Sequence, residues 1–487
     1  MRIGRVFYLV GEVNIIIGAA MLLPLFCTLW YGESDWRAFL LSIPICLAVG
    51  ALLMALCWKC RRQTLRQRET YLFVTMAWLL APLTGALPYV FYGCGDFAIC
   101  LFESFSGFTT TGATALADVE LMPHGILFWR ALTHWLGGAG IVLLFVALIQ
   151  NNNSGEGLNI YRAEYSGGFF SERIAVRIED NAKLIFAVYT ALTVLCLFCL
   201  MTCGMRFFDA VTHAMSITAT GGFSIRNASI AAYGSPLIEW VTTLFLFLSG
   251  ISFALFYIFF VRRRFRHVLA DQELRTYTLV IVLAAGLILA SMVRGGYAAE
   301  VGFGTALRHS LFQTVSILTS GGFVCDNYDA WPALARGVLL LLLFCGGCAG
   351  STASGIKIRR WIIAIKTLFA DLRRHFRPRL AQSIHYNGKK VEESISRRTL
   401  SFLVLFFLLT LFGSLSLIGC GMYWPEACTA AAACLGNVGP AWGGIGPVGT
   451  YAGVSAAGKY ICCFLMLVGR LEINTVLVLF IPAIWRD

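Results

Sequence analysis

The sequence predicts an all-α polytopic membrane protein: two leading helices plus four repeats of apolar span, short helix, glycine turn and apolar span. Three observations predict it: an excess of apolar residues, a one-sided distribution of basic residues, and four short glycine-ended stretches in register. The chain has 487 residues, of which 58% are apolar and only 13% charged, where about 25% charged is usual for soluble domains. Mean hydropathy is +0.75. This much apolar surface cannot be hidden inside one or two soluble domains. A soluble enzyme, a disordered chain, a collagen and a nucleic-acid-binding module are excluded, and no nucleic-acid partner is expected. At about 20 residues per span, the apolar content allows roughly ten to fourteen transmembrane helices.

Apolar runs fall near 6–30, 39–58, 71–92, 128–149, 183–204, 237–261, 276–293, 333–349, 361–370, 399–420 and 457–483. The first is long enough to span, and no small-residue cleavage site follows it, so it reads as a helix rather than a removed signal. The net charge of +12 has a bland explanation in Lys and Arg gathering in cytoplasmic loops. Of the 38 Lys and Arg residues, 29 lie on one side: Arg2 and Arg5, then clusters in 59–68, 162–183, 262–275 and 357–398, then Arg486. Eight lie on the other side, and Arg470 sits within the last apolar run. That split places both termini of a multi-pass membrane protein in the cytoplasm. Most of the 17 cysteines lie in apolar runs. The pairs Cys57/Cys60, Cys196/Cys199 and Cys345/Cys348 have no matching histidines, and read as small membrane hydrophobes rather than metal or redox sites.

Four stretches, 96–109, 206–219, 303–319 and 424–436, are too short or too polar to span. Each enters from and returns to the outer side. The first three end in Thr110-Thr111-Gly112, Thr220-Gly221-Gly222 and Ser320-Gly321-Gly322, and the fourth in Asn437-Val438-Gly439. The final glycines are spaced 110, 100 and 117 residues apart, and Ser106, Ser216, Ser316 and Ala433 stand six residues before them. Any one such turn is ordinary; four in register, each flanked by spans, form an internal repeat. The chain accordingly divides into two leading helices (1–68), pore repeat 1 (69–150), pore repeat 2 (151–268), pore repeat 3 with its second helix broken (269–380) and pore repeat 4 (381–487). Non-helical backbone at membrane depth must be buried in protein or line water. Four glycine turns around an axis can offer a ring of carbonyl oxygens that replaces the hydration shell of an alkali cation, with helix C-termini adding negative potential.

The pieces TTTGAT (109–114), ATGGFS (219–224), TSGGFV (319–324) and GNVGPAWG (436–443) resemble the Trk/Ktr/HKT superfamily of potassium transporters, most like its bacterial TrkH-type membrane subunit. So do HWLGGAGI (134–141), CAGSTASGIK (348–357) and GRLEI (469–473), and the resemblance covers nearly the whole chain. It implies four helix–pore-loop–helix repeats around one pseudo-four-fold pore, with a potassium filter at Thr110, Thr111, Gly112, Thr220, Gly221, Gly222, Ser320, Gly321, Gly322, Asn437, Val438 and Gly439, the potassium ion being the only metal held. By the same resemblance, in which serine at the first filter glycine of plant relatives goes with sodium transport, Gly112 implies a preference for potassium, and the resemblance places the chain in the bacterial inner membrane. The resemblance also implies a homodimer and a cytosolic nucleotide-binding regulator of the TrkA type, docking on basic loops that otherwise serve topology and anionic lipid binding. No GxGxxG after a strand, Walker A or zinc motif occurs, so no organic cofactor is expected in this chain.

Arg470 reads as the one conspicuous cation inside an apolar run. An intramembrane charge is costly and points to function, although a structural partner on another span, or snorkelling, would also account for it. The resemblance implies a pore-lining barrier below the filter. The interruption at 346–355, carrying Gly346, Gly347, Gly350, Ser351, Thr352 and Gly355, fits either close packing of small residues or, by the resemblance, a mobile gate loop. A secondary transporter for an organic solute is the competing reading, but it favours inverted repeats, whereas these run parallel. An enzyme would want clustered intramembrane acids or histidines, and the seven histidines are scattered. Passive conduction and proton- or sodium-coupled symport both fit this pattern.

Overall fold

The structure is a computed structural model, and it describes residues 3–63, 65–140, 178–376, 383–471 and 473–482. The basic loop at 151–177, the apolar residues 141–149 and Arg486 lie outside the described residues. The chain begins with α1 (Ile3–Ala20), α2 (Leu22–Tyr31) and α3 (Trp36–Leu56). Residues 3–31 form one apolar run of 29 residues, long enough to span. Gly11 and Gly50 let α1 and α3 approach until a Cβ on either would sit 2.7–2.8 Å from the other's carbonyl oxygen, the close packing that small residues permit in membranes. Polar links reinforce it: Asn14 Nδ2 donates to Cys46 O at 2.7 Å, and Thr84 Oγ1 donates to Asn14 Oδ1 at 2.8 Å.

Grouped by the short helix that each contains, the remaining helices fall into four sets, called units; the first comprises α4 (Gln67–Gly85), α5 (Leu87–Tyr92), α6 (Phe97–Phe108) and α7 (His124–Gly138). The second has α8 (Ile178–Thr202), α9 (Phe207–Thr218), α10 (Pro236–Ser249) and α11 (Phe253–Phe260), and α12 (Phe265–Leu269) leads out of it. The third has α13 (Gln272–Arg294), α14 (Tyr297–Val301), α15 (Phe303–Leu318), α16 (Ala333–Leu342) and α17 (Ile358–Phe376). A two-stranded antiparallel hairpin, β1 (His385–Tyr386) and β2 (Lys389–Lys390), follows. The fourth unit has α18 (Glu393–Gly419), α19 (Trp424–Gly436), α20 (Ala456–Arg470) and α21 (Asn474–Leu477). Caps fix several starts: Asp271 Oδ1 accepts from Leu274 N at 2.9 Å, and Ser455 Oγ accepts from Gly458 N at 3.3 Å.

Among the described residues six helical runs are long and apolar enough to cross a membrane, and a seventh is bent. The short stretches are the helices α6, α9, α15 and α19, each within about a residue of its predicted bounds. Four runs differ from expectation, and of these 333–349 is helical only as far as Leu342. The run 237–261 is not one helix: α10 and α11 meet at 93° across Gly250-Ile251-Ser252. The backbone groups freed there bond to the 346–355 segment, with Cys348 N donating to Gly250 O at 2.9 Å and Phe253 N to Gly350 O at 3.0 Å. The last run ends as a helix at Arg470 rather than continuing through 483. The run 361–370 belongs to α17, whose polar face carries charges and which is amphipathic rather than spanning. Two large clusters make up most of the apolar core of the described residues, beside two small ones. One large cluster joins the leading helices to units one and four, and the other joins units two and three.

Candidate functional site

The four short helices end alike. One residue past each helix C-cap, the backbone turns left-handed: φ is 54° at Thr110, 51° at Thr220, 55° at Ser320 and, where the cap itself turns, 52° at Asn437. A side chain there costs about 1–3 kcal/mol, so the surroundings must enforce the turn. The bonding repeats in all four. Thr110 N, Thr220 N, Ser320 N and Asn437 N donate to the carbonyls of Gly107, Ile217, Ile317 and Cys434 at 3.0–3.2 Å. Thr111 N, Gly221 N, Gly321 N and Val438 N donate to those of Ser106, Ser216, Ser316 and Ala433 at 2.7–2.9 Å. The residue six before each final glycine supplies its carbonyl to this turn, which Ala433 does as well as a serine, while Ser316 adds a side-chain bond to Phe323 O at 2.7 Å.

The final glycines close a ring. Each of Gly112, Gly222, Gly322 and Gly439 has positive φ, between 64° and 94°. A Cβ on Gly112 would collide with Gly221 O, on Gly222 with Gly321 O, on Gly322 with Val438 O, and on Gly439 with Thr111 O, all closer than 3.0 Å. Each unit thus packs its glycine against the next unit's carbonyl, and the fourth returns to the first. Only glycine satisfies both the backbone angle and the approach.

The loops beyond the turns close a second ring. Asn227 Nδ2 donates to Asp118 Oδ1 at 2.7 Å, joining units one and two. Ala231 N donates to Val324 O at 3.2 Å, joining two and three. Tyr328 OH donates to Ala441 O and Gly443 N to Asp329 Oδ2, both at 3.0 Å, joining three and four. Tyr451 N donates to Thr114 O at 2.8 Å, joining four and one. Burial raises the Asp329 carboxyl above its ordinary range, and the Gly443 hydrogen bond opposes that rise.

Behind the first turn lies a buried ion pair. Arg130 Nε donates to Glu103 Oε2 at 3.0 Å, and the two residues are 2% and 0% exposed. Glu103 Oε1 accepts from Thr114 Oγ1 and Ala115 N at 2.6 Å and from Leu116 N at 3.3 Å. Arg130 Nη1 reaches Ser224 O at 3.1 Å, and its guanidinium lies 3.9 Å over the Phe223 ring. His134 stacks on the same ring at 4.1 Å and shares a 2.9 Å hydrogen bond with Ser216. Asn437 Nδ2 donates to Thr111 Oγ1 and to Met466 O, both at 2.9 Å, and so ties the fourth turn to the first.

The 346–355 segment lies against these turns. Ser354 N donates to Ser320 Oγ at 2.7 Å, and Thr352 Oγ1 to Thr218 O at 3.1 Å. Arg470, at the end of α20, stitches the region together. Its Nη1 donates to Thr110 Oγ1 and Ser354 Oγ at 3.0 Å and to Thr352 O at 3.2 Å, and its Nη2 donates to Gly137 O at 2.6 Å. The TrkH family, described as cation transport protein, matches residues 36–486.

The chain belongs to the TrkH family. It is 33% identical to the Trk system potassium uptake protein TrkH of Halomonas elongata and of Escherichia coli, with all of each chain covered. It is 31% identical to TrkG of Escherichia coli, over 99% of this chain and 98% of that one. The crystal structure of the potassium transporter TrkH from Vibrio parahaemolyticus superposes with a TM-score of 0.89 at 30% identity, covering both chains fully. TrkH is a family of membrane transporters and not of enzymes.

In this TrkH-family chain the twelve turn residues chosen from the sequence come together in one ring, and Arg470 and the 346–355 segment meet it. The expectation that Arg470 is the one conspicuous cation in an apolar helix needs correction, because Arg130 of α7 and Lys459 of α20 are buried whereas Arg470 is half-buried. Glu103 and Arg130 were missed although each interrupts an apolar stretch. Their pairing across 27 residues follows no helical spacing and becomes visible only when α6 and α7 pack.

Proposed function

We propose that this TrkH-family chain carries potassium inward across the bacterial inner membrane through the ring of four turns. Thr110, Thr111 and Gly112, Thr220 to Gly222, Ser320 to Gly322 and Asn437 to Gly439 act as the filter, their carbonyl oxygens replacing water around the ion. The observation that carries the reading is closure: four backbone turns of one shape, each glycine set against the next unit's carbonyl. Four helix C-termini meet at that ring, and their partial negative charge suits a cation. The curated relatives named as potassium uptake proteins point to the same ion.

Arg470 is the barrier below the filter, and Gly346, Gly347, Gly350, Ser351, Thr352 and Gly355 belong to the gate. Supporting this, Arg470 bonds both a filter residue and two loop residues. Both termini lie in the cytoplasm, two chains form a homodimer, and a TrkA-type nucleotide-binding subunit acts on the basic cytoplasmic face. The test is Gly112→Ser: the added side chain collides with Gly221 O and distorts the ring. Rubidium-86 uptake should then be competed more strongly by sodium, and rescue of a potassium-uptake-deficient strain at low potassium should weaken. Unchanged selectivity would remove Gly112 from the filter.

A further inference from the structure

We propose that Glu273 and Tyr386 form a latch that holds the 346–355 loop beneath the turns and couples it to the β1–β2 hairpin. The inference rests on the reading of that loop as the gate. Glu273 lies in the first turn of α13 and is buried. Its Oε1 accepts from Ala349 N, inside the loop, at 2.7 Å, and from Arg359 N, at the start of α17, at 3.2 Å. One carboxylate oxygen therefore grips both the loop and the helix that follows it. The other oxygen, Oε2, accepts from Tyr386 OH at 3.0 Å.

Tyr386 is held by a hairpin with its own attachment to the base of α13. Asn387 and Gly388 have φ of 48° and 74° and form its tight turn. Asn387 Nδ2 donates to Asp271 Oδ2 at 2.7 Å, and Gln272 N donates to Asn387 Oδ1 at 2.8 Å. Lys366 Nζ donates to Gln272 Oε1 at 3.0 Å and His385 O at 2.6 Å. Burial and the neighbouring Glu273 charge raise the Tyr386 phenol well above its ordinary value, so it remains a donor. Lys389 and Lys390 of the same hairpin are exposed.

A buried carboxylate holds its place only while donors compensate its desolvation. Pulling the hairpin away removes Tyr386 OH, loosens Glu273 and frees the Ala349 amide, so the loop's held state loses stability relative to a released one. Force or binding at the exposed lysines thereby biases the gate from outside the membrane region, which is the requirement for coupling between two sites.

The experiment uses the full chain in lipid vesicles, with single-channel recording, rubidium-86 flux and the 346–355 deletion as reference. Tyr386→Phe removes one hydroxyl and should raise open probability about fivefold, the lower edge of ordinary coupling factors, with unitary conductance and potassium-over-sodium preference unchanged. Glu273→Gln should act in the same direction, and the double variant should exceed the stronger single variant by little, because both act on one path. If the deletion raises open probability while Tyr386→Phe leaves it at the native level, the latch is wrong and the gate stands. If the deletion itself changes nothing, the gate reading fails. Additive single effects, or altered conductance or selectivity in Tyr386→Phe, also overturn the latch. Should Glu273→Gln fail to accumulate in the membrane, Tyr386→Phe against the deletion still decides.

Discussion

Replacing Glu103 with Gln leaves the Arg130 guanidinium buried without a countercharge, and it puts an amide where three donors now converge on one oxygen. Breaking one side of a buried pair costs about 3–5 kcal/mol. Mispairing the donors from Thr114, Ala115 and Leu116 adds about 1–3 kcal/mol. Against a total stability of about 5–15 kcal/mol, this endangers the fold and above all the first turn. Glu103→Gln should therefore melt well below the native protein in detergent, and the surviving fraction should take up rubidium-86 poorly. Adding Arg130→Met removes the stranded charge, so the double variant should recover about 2 kcal/mol or more of the loss, measured as non-additivity in a double-mutant cycle. A Glu103→Gln protein that melts and transports like the native one would refute the reasoning, as would a double variant equal to the sum of its parts.

Arg470→Ala removes donors that link Thr110, Gly137, Thr352 and Ser354, and by the proposed barrier role it should raise flux; unaltered single-channel or vesicle flux would refute that proposal. Asp35, in the loop between α2 and α3, has its carboxyl raised to about 6, first by burial and then by the Glu33 charge. A folded-state value raised above the unfolded one gives stability that is present below about pH 4 and lost as pH rises through about 6. Asp35→Asn should flatten that fall and stabilise the protein by about 1–2 kcal/mol at pH 7.5. A native melting temperature no lower at pH 7.5 than at pH 5, with the same slope in the variant, would contradict it.

The short helices and their turns were legible because the signal is local. A 12- to 16-residue apolar helix followed by left-handed residues and glycine states its own ending, and α6, α9, α15 and α19 stop where the pattern stops. What was not legible depends on distant partners. The bend at 250–252 looks like continuous apolar sequence, and it is opened by Cys348 and Gly350, about 100 residues away. The end of α20 at Arg470 is likewise hidden in an apolar run, and its partners stand 116 to 360 residues away. The hairpin at 385–390 is polar and short, and its hold on Glu273 spans 113 residues. Composition finds elements, whereas the pairing of single polar groups across elements is decided by the assembled geometry.

The ring of turns is drawn from one continuous chain, and its quarters are chemically unequal: three carry Thr or Ser at the left-handed position and one carries Asn437, whose amide reaches across to Thr111. A pore made of four identical subunits changes by fours, because every substitution is copied around the axis. Here a mutation alters one quarter and leaves three in place, so the ring can be adjusted in small asymmetric steps.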